Sequence, residues 1–172
     1  IGGNDGAVRA ETYFGTIAGN VITWVSGTNL LAVRSSHTSS ILSDGRILVT
    51  GGQDPTVRAE TYFGTIAGNA ITWISGTALP GTRRTHTVSI LFDGRILITG
   101  GTEVVPRAET YFGTISGNAI TWVNGTSLPA IRRSHTASLL SDGRILVTGG
   151  HDGAASRAET FFGTIARWGV KI

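Results

Sequence analysis

Three histidines recur at a constant interval and are the first candidates for chemistry in this chain. His37, His86 and His135 lie 49 residues apart, and each is followed by Thr. Three imidazoles can bind a zinc ion if the fold brings them to one axis. A repeated His flanked by Ser and Thr is, however, more often hydrogen-bonded within a sheet. We therefore expect neither a metal site nor a cofactor.

Arginine and glutamate recur in the same way. Arg34, Arg83 and Arg132 precede the three histidines, while Glu11, Glu60, Glu109 and Glu159 follow a second set of arginines. A guanidinium group meets a carboxylate through two parallel hydrogen bonds, so Arg suits fixed ion pairs. We expect Arg–Glu pairs that tie neighbouring modules together. A ring of arginines that holds an anionic ligand is the alternative.

The composition excludes several classes of protein. The 172 residues include no Cys, which rules out disulfides, thiolate catalysis and Cys-based zinc sites. The net charge of +3 comes almost wholly from Arg at repeated positions, which indicates a structural role rather than nucleic-acid binding. No apolar run approaches the roughly 18 residues that span a bilayer. With 40% hydrophobic residues, 15% charged residues and 25 Gly, the chain is typical of a sheet protein with many turns.

A 49-residue repeat organises the chain. Gly pairs begin at Gly2, Gly51, Gly100 and Gly149, and Trp24, Trp73 and Trp122 keep the same spacing. Among the units that start at Gly2, Gly51 and Gly100, 30 of 49 positions are identical in all three. A period of this length is the mark of a repeat architecture.

Each module is predicted to contain four short strands and no helix. In the second module these strands cover 35–42, 46–50, 58–63 and 70–74, and β-branched and aromatic residues dominate the last two. Asp44-Gly45 predicts a two-residue type I′ hairpin between the first two strands. The pair Gly51-Gly52 indicates a point where backbone passes close to other structure. The segment 64–69 is predicted to join the third and fourth strands.

The repeated residues resemble the Kelch signature. The signature positions are Gly51, Gly52, Tyr62 and Trp73 in one unit and Gly100, Gly101, Tyr111 and Trp122 in the next, with His86 and His135 in the Arg-x-x-His-Thr openings. The resemblance covers essentially the whole chain, and the galactose-oxidase-like bacterial branch is the nearer match. The Gly-His and Trp-Asp pairs of WD40 proteins are missing. The resemblance implies an all-β propeller of four-stranded antiparallel blades.

Counting strands gives about 3.5 blades in one array over 1–172. A half-blade covers 1–26, full blades cover 34–74 and 83–123, and a blade with an atypical end covers 132–172. Closed propellers usually have 4–8 blades, and open ends expose sheet faces that favour association. The chain is therefore part of a longer propeller, or two copies form a ring of about seven blades, or the half-blade completes the last blade. We favour a fragment or a homo-oligomer.

The differences between the units indicate where a partner binds. Of 19 positions that vary among the three complete units, 12 lie in the connections after the second and fourth strands, which strand alternation places on one rim. Loops on a rigid scaffold commonly carry binding. The candidate residues are Asp54, Thr56, Arg84, Glu103, Arg133, His151 and Asp152. Drift in unconstrained loops is the competing explanation, and the lack of aromatic residues in these loops weakens a sugar-stacking site.

We expect a non-enzymatic module that binds a protein or a glycan. The copper site of galactose-oxidase-like proteins depends on a Tyr–Cys cross-link, which a chain without Cys cannot form. The Ser-x-Asp-x-Gly-x-Thr-Trp motif of sialidases is also missing, and no asymmetric set of acids or nucleophile with base is evident. The alternatives are a self-assembling scaffold without a ligand and a non-catalytic part of a larger propeller enzyme.

Overall fold

The computed structural model describes residues 1–165, which form antiparallel sheets of two to four strands and contain no helix. The prediction of an all-β chain is confirmed. The strands are β1 (Gly3–Asn4), β2 (Val8–Arg9), β3 (Tyr13–Ala18), β4 (Val21–Ser26), β5 (Thr38–Ile41), β6 (Ile47–Thr50), β7 (Gln53–Asp54), β8 (Thr56–Val57), β9 (Thr61–Ala67), β10 (Ala70–Ser75), β11 (Thr87–Ile90), β12 (Ile96–Thr99), β13 (Thr110–Ser116), β14 (Ala119–Asn124), β15 (Thr136–Leu139), β16 (Arg144–Thr148) and β17 (Thr160–Thr164).

Four sheets follow one another along the chain. The first sheet pairs β3 with β4, the second has the order β5-β6-β9-β10, the third β11-β12-β13-β14 and the fourth β15-β16-β17. Two short hairpins, β1–β2 and β7–β8, project beside them. The atypical end predicted for the last module lies mostly beyond residue 165 and so falls outside the described residues.

The third strand of each module begins and ends later in the sequence than predicted. We expected it to end at Phe63 and to be followed by a six-residue connection over 64–69. That was wrong, because β9 continues to Ala67 and a two-residue turn leads directly into β10. Trp73 pairs with Gly64 across the two strands, so this Gly lies in the ladder rather than in a turn.

The Asp-Gly connections also differ from prediction. Leu42 N–H donates to the Arg46 carbonyl, and Gly45 N–H donates to the Leu42 carbonyl. Three residues therefore form the loop, and only Gly45 has a positive φ, at 83°. A two-residue type I′ turn requires positive φ at both central residues, so that prediction was wrong. The Asp44 carboxylate instead accepts from Arg46 N at 3.0 Å and Arg46 Nε at 2.8 Å.

Neighbouring sheets pack face to face. We call the face turned toward the following sheet the leading face, and the face turned toward the preceding sheet the trailing face. The leading face of the second sheet carries Leu48 and Phe63, and the trailing face of the third carries Ile96, Ile98 and Ile120; all five lie in one buried cluster. Equivalent clusters join the first sheet to the second and the third to the fourth.

The entries to the first strands add backbone links between sheets. Ser36, Thr85 and Ser134 have φ of 55°, 51° and 53°, in the left-handed region. Thr85 N–H donates to the Ser36 carbonyl and Ser134 N–H to the Thr85 carbonyl, each at 2.9 Å. Each first strand therefore begins two residues after the left-handed residue, and the backbone of that residue is hydrogen-bonded to the equivalent residue of a neighbouring module.

The row of sheets over residues 1–165 does not close into a ring. Nothing helical in this part of the chain has the length and apolar character needed to cross a bilayer.

Candidate functional site

Neighbouring variable loops contact one another along one edge of the sheets. We call this surface the variable rim; it consists of 4–8, 29–33, 53–57, 78–82, 102–106, 127–131 and 151–156, together with Arg84 and Arg133, whose backbones pair with Thr102 and His151. Thr82 Oγ1 donates to Glu103 Oε1 at 2.6 Å, which joins two of these segments directly. Backbone hydrogen bonds pair Arg84 with Thr102 at 2.9 Å in both directions. The opposite rim contains the Asp-Gly loops, where Arg46 donates to the Gly117 carbonyl of the next sheet at 2.9 Å.

A constant arginine braces each of the four variable loops that connect the second and third strands, 4–8, 53–57, 102–106 and 151–156. The arginine that follows the loop folds back onto the loop's second residue in every module. The contacts are Arg9 Nε to the Asp5 carboxylate at 2.8 Å, Arg58 Nη2 to the Asp54 carbonyl at 2.6 Å, Arg107 Nη2 to the Glu103 carboxylate at 3.0 Å and Arg157 Nε to the Asp152 carboxylate at 2.7 Å. The loops therefore share one anchor although their sequences differ.

Two acidic candidates at the rim hold the loops in shape. Hydrogen bonds from Thr82 and then Arg107 lower the pKa of Glu103. The pKa of Asp152 lies well below its usual range, because its carboxylate accepts from the backbone of Ala155, from Arg157 and from the backbone of Ala154. Both carboxylates are therefore ionised at neutral pH and already occupied by protein donors.

The basic candidates differ in the hydrogen bonds that their side chains make. Arg84 is half-buried and donates through Nη1 to Gln53 Oε1 of the preceding module. Arg133 makes no side-chain hydrogen bond or ion pair within residues 1–165. With His151 and Arg157 it lines an open cavity of about 450 Å³. His151 Nδ1 accepts from Gly153 N at 2.8 Å, so this ring shapes its own loop.

The remaining candidates lie at the centre of the 53–57 loop. Arg58 donates to the backbone carbonyl of Asp54, so the half-buried carboxylate of Asp54 takes no part in that contact. Thr56 is exposed and pairs with Asp54 through the short β7–β8 ladder. These two residues do not contact Arg133 or Asp152, which belong to a different module, so the candidates form a row along the rim rather than one pocket.

The repeated histidines link neighbouring sheets. His86 Nε2 lies 2.8 Å from Thr50 Oγ1 and 3.3 Å from Thr38 Oγ1, both in the preceding sheet. His135 contacts Thr99 and Thr87 in the same way, at 2.9 and 3.3 Å. Desolvation by burial lowers the pKa of His86 to about 3. Within residues 1–165, no group of three or more His, Cys, Asp or Glu side chains has an arrangement that would hold a metal ion.

The buried arginines do not tie modules together through Glu, and that prediction was wrong. Arg34 Nη1 and Arg83 Nη1 donate to the carbonyls of Gly51 and Gly100. Only Arg132 of the three approaches a carboxylate, with Nη2 at 3.5 Å from Glu159 in its own sheet. Each guanidinium lies over an aromatic ring: Arg34 over Tyr62 at 4.7 Å, Arg83 over Tyr111 at 5.0 Å and Arg132 over Phe161 at 4.8 Å. The Gly carbonyl and the ring thus hold the guanidinium within one sheet, while the Nε of each of these arginines is buried without an acceptor in residues 1–165.

The other repeated residues occupy structural positions. A Cβ at Gly52 would lie 2.8 Å from the Ser35 carbonyl oxygen, and one at Gly101 would lie 2.8 Å from that of Arg84. Tyr62 and Trp73 are buried between the first and second sheets. Tyr111 and Trp122 pack against the cluster between the second and third sheets.

Sequence reasoning missed two features of the rim. Val104 is 87% exposed and Val105 also faces solvent, so the tip of this loop is apolar. The bracing role of Arg58 and Arg107 was also missed. Its signal was present, because a constant Arg directly follows each loop whose sequence changes.

No protein-family model matches the chain, and no curated protein sequence matches it.

Proposed function

We propose that the chain is an open arc of Kelch-like propeller blades whose variable rim binds a protein partner without catalysis. The four-stranded antiparallel order of the second and third sheets supports the blade assignment. The packing of successive sheets through their faces and first strands supports a radial arrangement. The repeated Gly pair, Tyr and Trp support the Kelch type.

The bracing arginines carry the binding proposal. Arg58 and Arg107 hold loops of different sequence in place through the same residue position. A loop that is already ordered loses less conformational entropy when it binds, which favours affinity. Loops that vary in sequence but are held by a constant arginine suit a recognition surface, because binding residues commonly lie on loops positioned by a rigid scaffold.

The chemistry of the rim favours a protein segment with apolar and acidic side chains. Val104, Val105 and Ile131 expose apolar surface on adjacent loops. The guanidinium of Arg133 has no protein acceptor within residues 1–165 and borders the open cavity. Arginine is enriched at protein interfaces because its fork binds carboxylates. The variable rim contains no aromatic residue on which a sugar ring would stack, so a protein is favoured over a glycan.

The acidic groups of the rim support binding rather than catalysis. Glu103 and Asp152 are held by arginines and by hydroxyl or backbone donors. A carboxylate whose pKa is lowered by such donors is a poor general acid or base near neutral pH. These carboxylates therefore serve the geometry of the loops.

The test exchanges the loops while keeping the scaffold. In one variant, 53–57 and 102–106 are both replaced by Asn-Asp-Gly-Ala-Val, the sequence of 4–8, which has the same length and already occupies this rim. Peptides are selected on the unmodified chain from a phage-displayed random library, and the chain is applied in parallel to a glycan array. We expect apolar–acidic peptides that lose binding to the exchanged variant.

The matched control changes the opposite rim. Phe92 is exposed there, and Ser occupies its equivalent positions 43 and 141, so Phe92→Ser restores the repeat sequence. Selected peptides should bind this variant as tightly as the unmodified chain, and thermal unfolding should show that both variants fold. Peptides that lose binding only to Phe92→Ser, or binding to glycans alone, would overturn the proposal.

A further inference from the structure

The trailing face of the first sheet is apolar and uncovered. Its residues Tyr13, Ile22 and Trp24 occupy the repeat positions of Tyr62, Ile71 and Trp73 in the second sheet. The exposed fractions are 56%, 46% and 63% in the first sheet against 8%, 3% and 8% in the second. The residue types are identical, so the difference arises because no other sheet within residues 1–165 packs on this face of the first one.

The fourth sheet has the opposite face uncovered. Phe162 occupies the repeat position of Phe63, and 59% of it is exposed against 1% for Phe63. Leu146 beside it is half-buried, whereas its counterpart Leu48 is fully buried. Phe162 and Leu146 therefore form a leading face without a following sheet in residues 1–165.

The interior of the molecule shows what covers each kind of face. Leu48 and Phe63 on a leading face pack against Ile98 and Ile120 on the next trailing face. The same packing recurs between the first and second sheets and between the third and fourth. The two uncovered faces therefore carry part of the interface that the chain already forms three times: the first sheet has Ile22 at the repeat position of Ile120 but no strand equivalent to β12, which carries Ile98.

We propose that the trailing face of the first sheet docks onto the leading face of the fourth sheet in a second copy of this chain. Both faces are apolar and carry the residue types that pack together inside the molecule, so shape and hydrophobic burial favour this contact. The contact joins two different surfaces and is therefore heterologous, which gives either a ring or an open chain of copies. None of its residues belongs to the variable rim, so the inference does not depend on the proposed binding function.

The edge of the first sheet adds to this tendency. Trp73 Nε1 and Ile71 N donate to Thr28 beside the first sheet, at 3.3 and 3.0 Å. The equivalent donors Trp24 Nε1 and Ile22 N make no such contact within residues 1–165. An exposed aromatic face beside unpaired strand donors is a typical association surface.

The experiment compares solution masses. Trp24→Asp and Phe162→Asp each place a carboxylate on one of the two faces. The control, Phe92→Ser, removes an exposed aromatic residue that lies on neither face. Light scattering after size exclusion is run from about 1 to 200 µM, a range that resolves micromolar association. We expect the unmodified chain and Phe92→Ser to exceed the single-chain mass of 17.9 kDa. Each Asp variant should associate at least about 30-fold more weakly.

Mixing the two Asp variants makes the test specific. Phe162→Asp keeps an intact trailing face and Trp24→Asp keeps an intact leading face, so an equimolar mixture should form pairs of twice 17.9 kDa that do not grow further. A single-chain mass for the unmodified chain at every concentration would overturn the inference. So would unchanged association of Trp24→Asp, or a mixture that stays at the single-chain mass. Circular dichroism of each variant confirms that the masses belong to folded chains.

Discussion

The imidazole Nε2 of His86 lies 2.8 Å from the hydroxyl of Thr50 in the preceding sheet. Thr50 in turn hydrogen-bonds Thr38 at 2.8 Å, so one His closes a three-residue cluster that spans two sheets. The His135 ring repeats the arrangement one module later. Two of the three histidines that first suggested metal chemistry, His86 and His135, are therefore cross-links between neighbouring sheets.

Removal of this link should destabilise the fold. We expect His86→Ala to lower the free energy of unfolding by about 2–4 kcal/mol, because it leaves a cavity and deletes a buried hydrogen bond. His37→Ala is the matched control, since His37 has no preceding threonine pair within residues 1–165; it should cost about 1 kcal/mol or less. Urea denaturation followed by Trp fluorescence measures both. Equal losses would show that the cross-sheet contact contributes nothing.

Stability should fall in mild acid. Burial lowers the pKa of His86 to about 3 and those of His37 and His135 to about 4. In the unfolded chain a His binds a proton near pH 6.5. Below that pH the unfolded state holds more protons, so the free energy of unfolding decreases as pH falls toward 4, by about 1.4 kcal/mol per pH unit for each fully neutral His.

Urea titrations at several pH values between 8 and 4 measure this slope. The contribution is complete above pH 6.5 and is lost on the way down to the native pKa values. His86→Ala should reduce the dependence of the free energy of unfolding on pH by the contribution of one His. A free energy of unfolding that is constant from pH 7 to 5 would contradict the prediction.

The Gly pair should be intolerant of any side chain. Gly51 has φ of 58°, and a Cβ there would collide with the Arg83 carbonyl oxygen. Gly68 has a similar φ of 61° but open space around its Cβ direction. We therefore expect Gly68→Ala to cost about 1 kcal/mol from backbone strain alone, and Gly51→Ala at least about 3 kcal/mol from strain and overlap. Thermal unfolding of the two variants separates the contributions.

Adjacent arginines should respond differently to truncation. Arg83 is buried over Tyr111 and donates to the Gly100 carbonyl, whereas Arg84 is half-buried at the rim. Arg83→Ser should destabilise the chain by about 3 kcal/mol or more, because it leaves a buried carbonyl and a cavity. Arg84→Ser should change stability by less than about 1 kcal/mol, since Ser35 occupies that position one module earlier. Chemical denaturation of both variants is the measurement.

The modular all-β organisation was predictable because the 49-residue period and the strand-forming residues are both evident in the sequence. The position of the third strand was not. Gly64 resembles a turn residue, yet a Cβ there would lie 2.6 Å from the ring of Trp73, so the Gly makes room for the aromatic side chain inside the ladder. A cross-strand contact of this kind leaves no local signal.

The sequence also indicates which connections share an edge, because the direction of successive antiparallel strands alternates. The partners of the constant residues were not predictable. His86, Thr50, Arg83 and Glu109 recur in every complete unit, so their repetition does not distinguish a contact within a sheet from one between sheets. For Arg83 the acceptor is a backbone carbonyl, which every residue possesses and no pattern reveals.

The hydrogen bonds that run from Ser134 to Thr85 and from Thr85 to Ser36 connect equivalent points one repeat apart. A force applied to the two termini therefore passes from module to module, and we expect the modules to unfold one after another. Each rupture releases one 49-residue segment, which extends to about 170 Å. Stretching a single molecule should consequently give evenly spaced rupture events, and the number of events would count the modules directly.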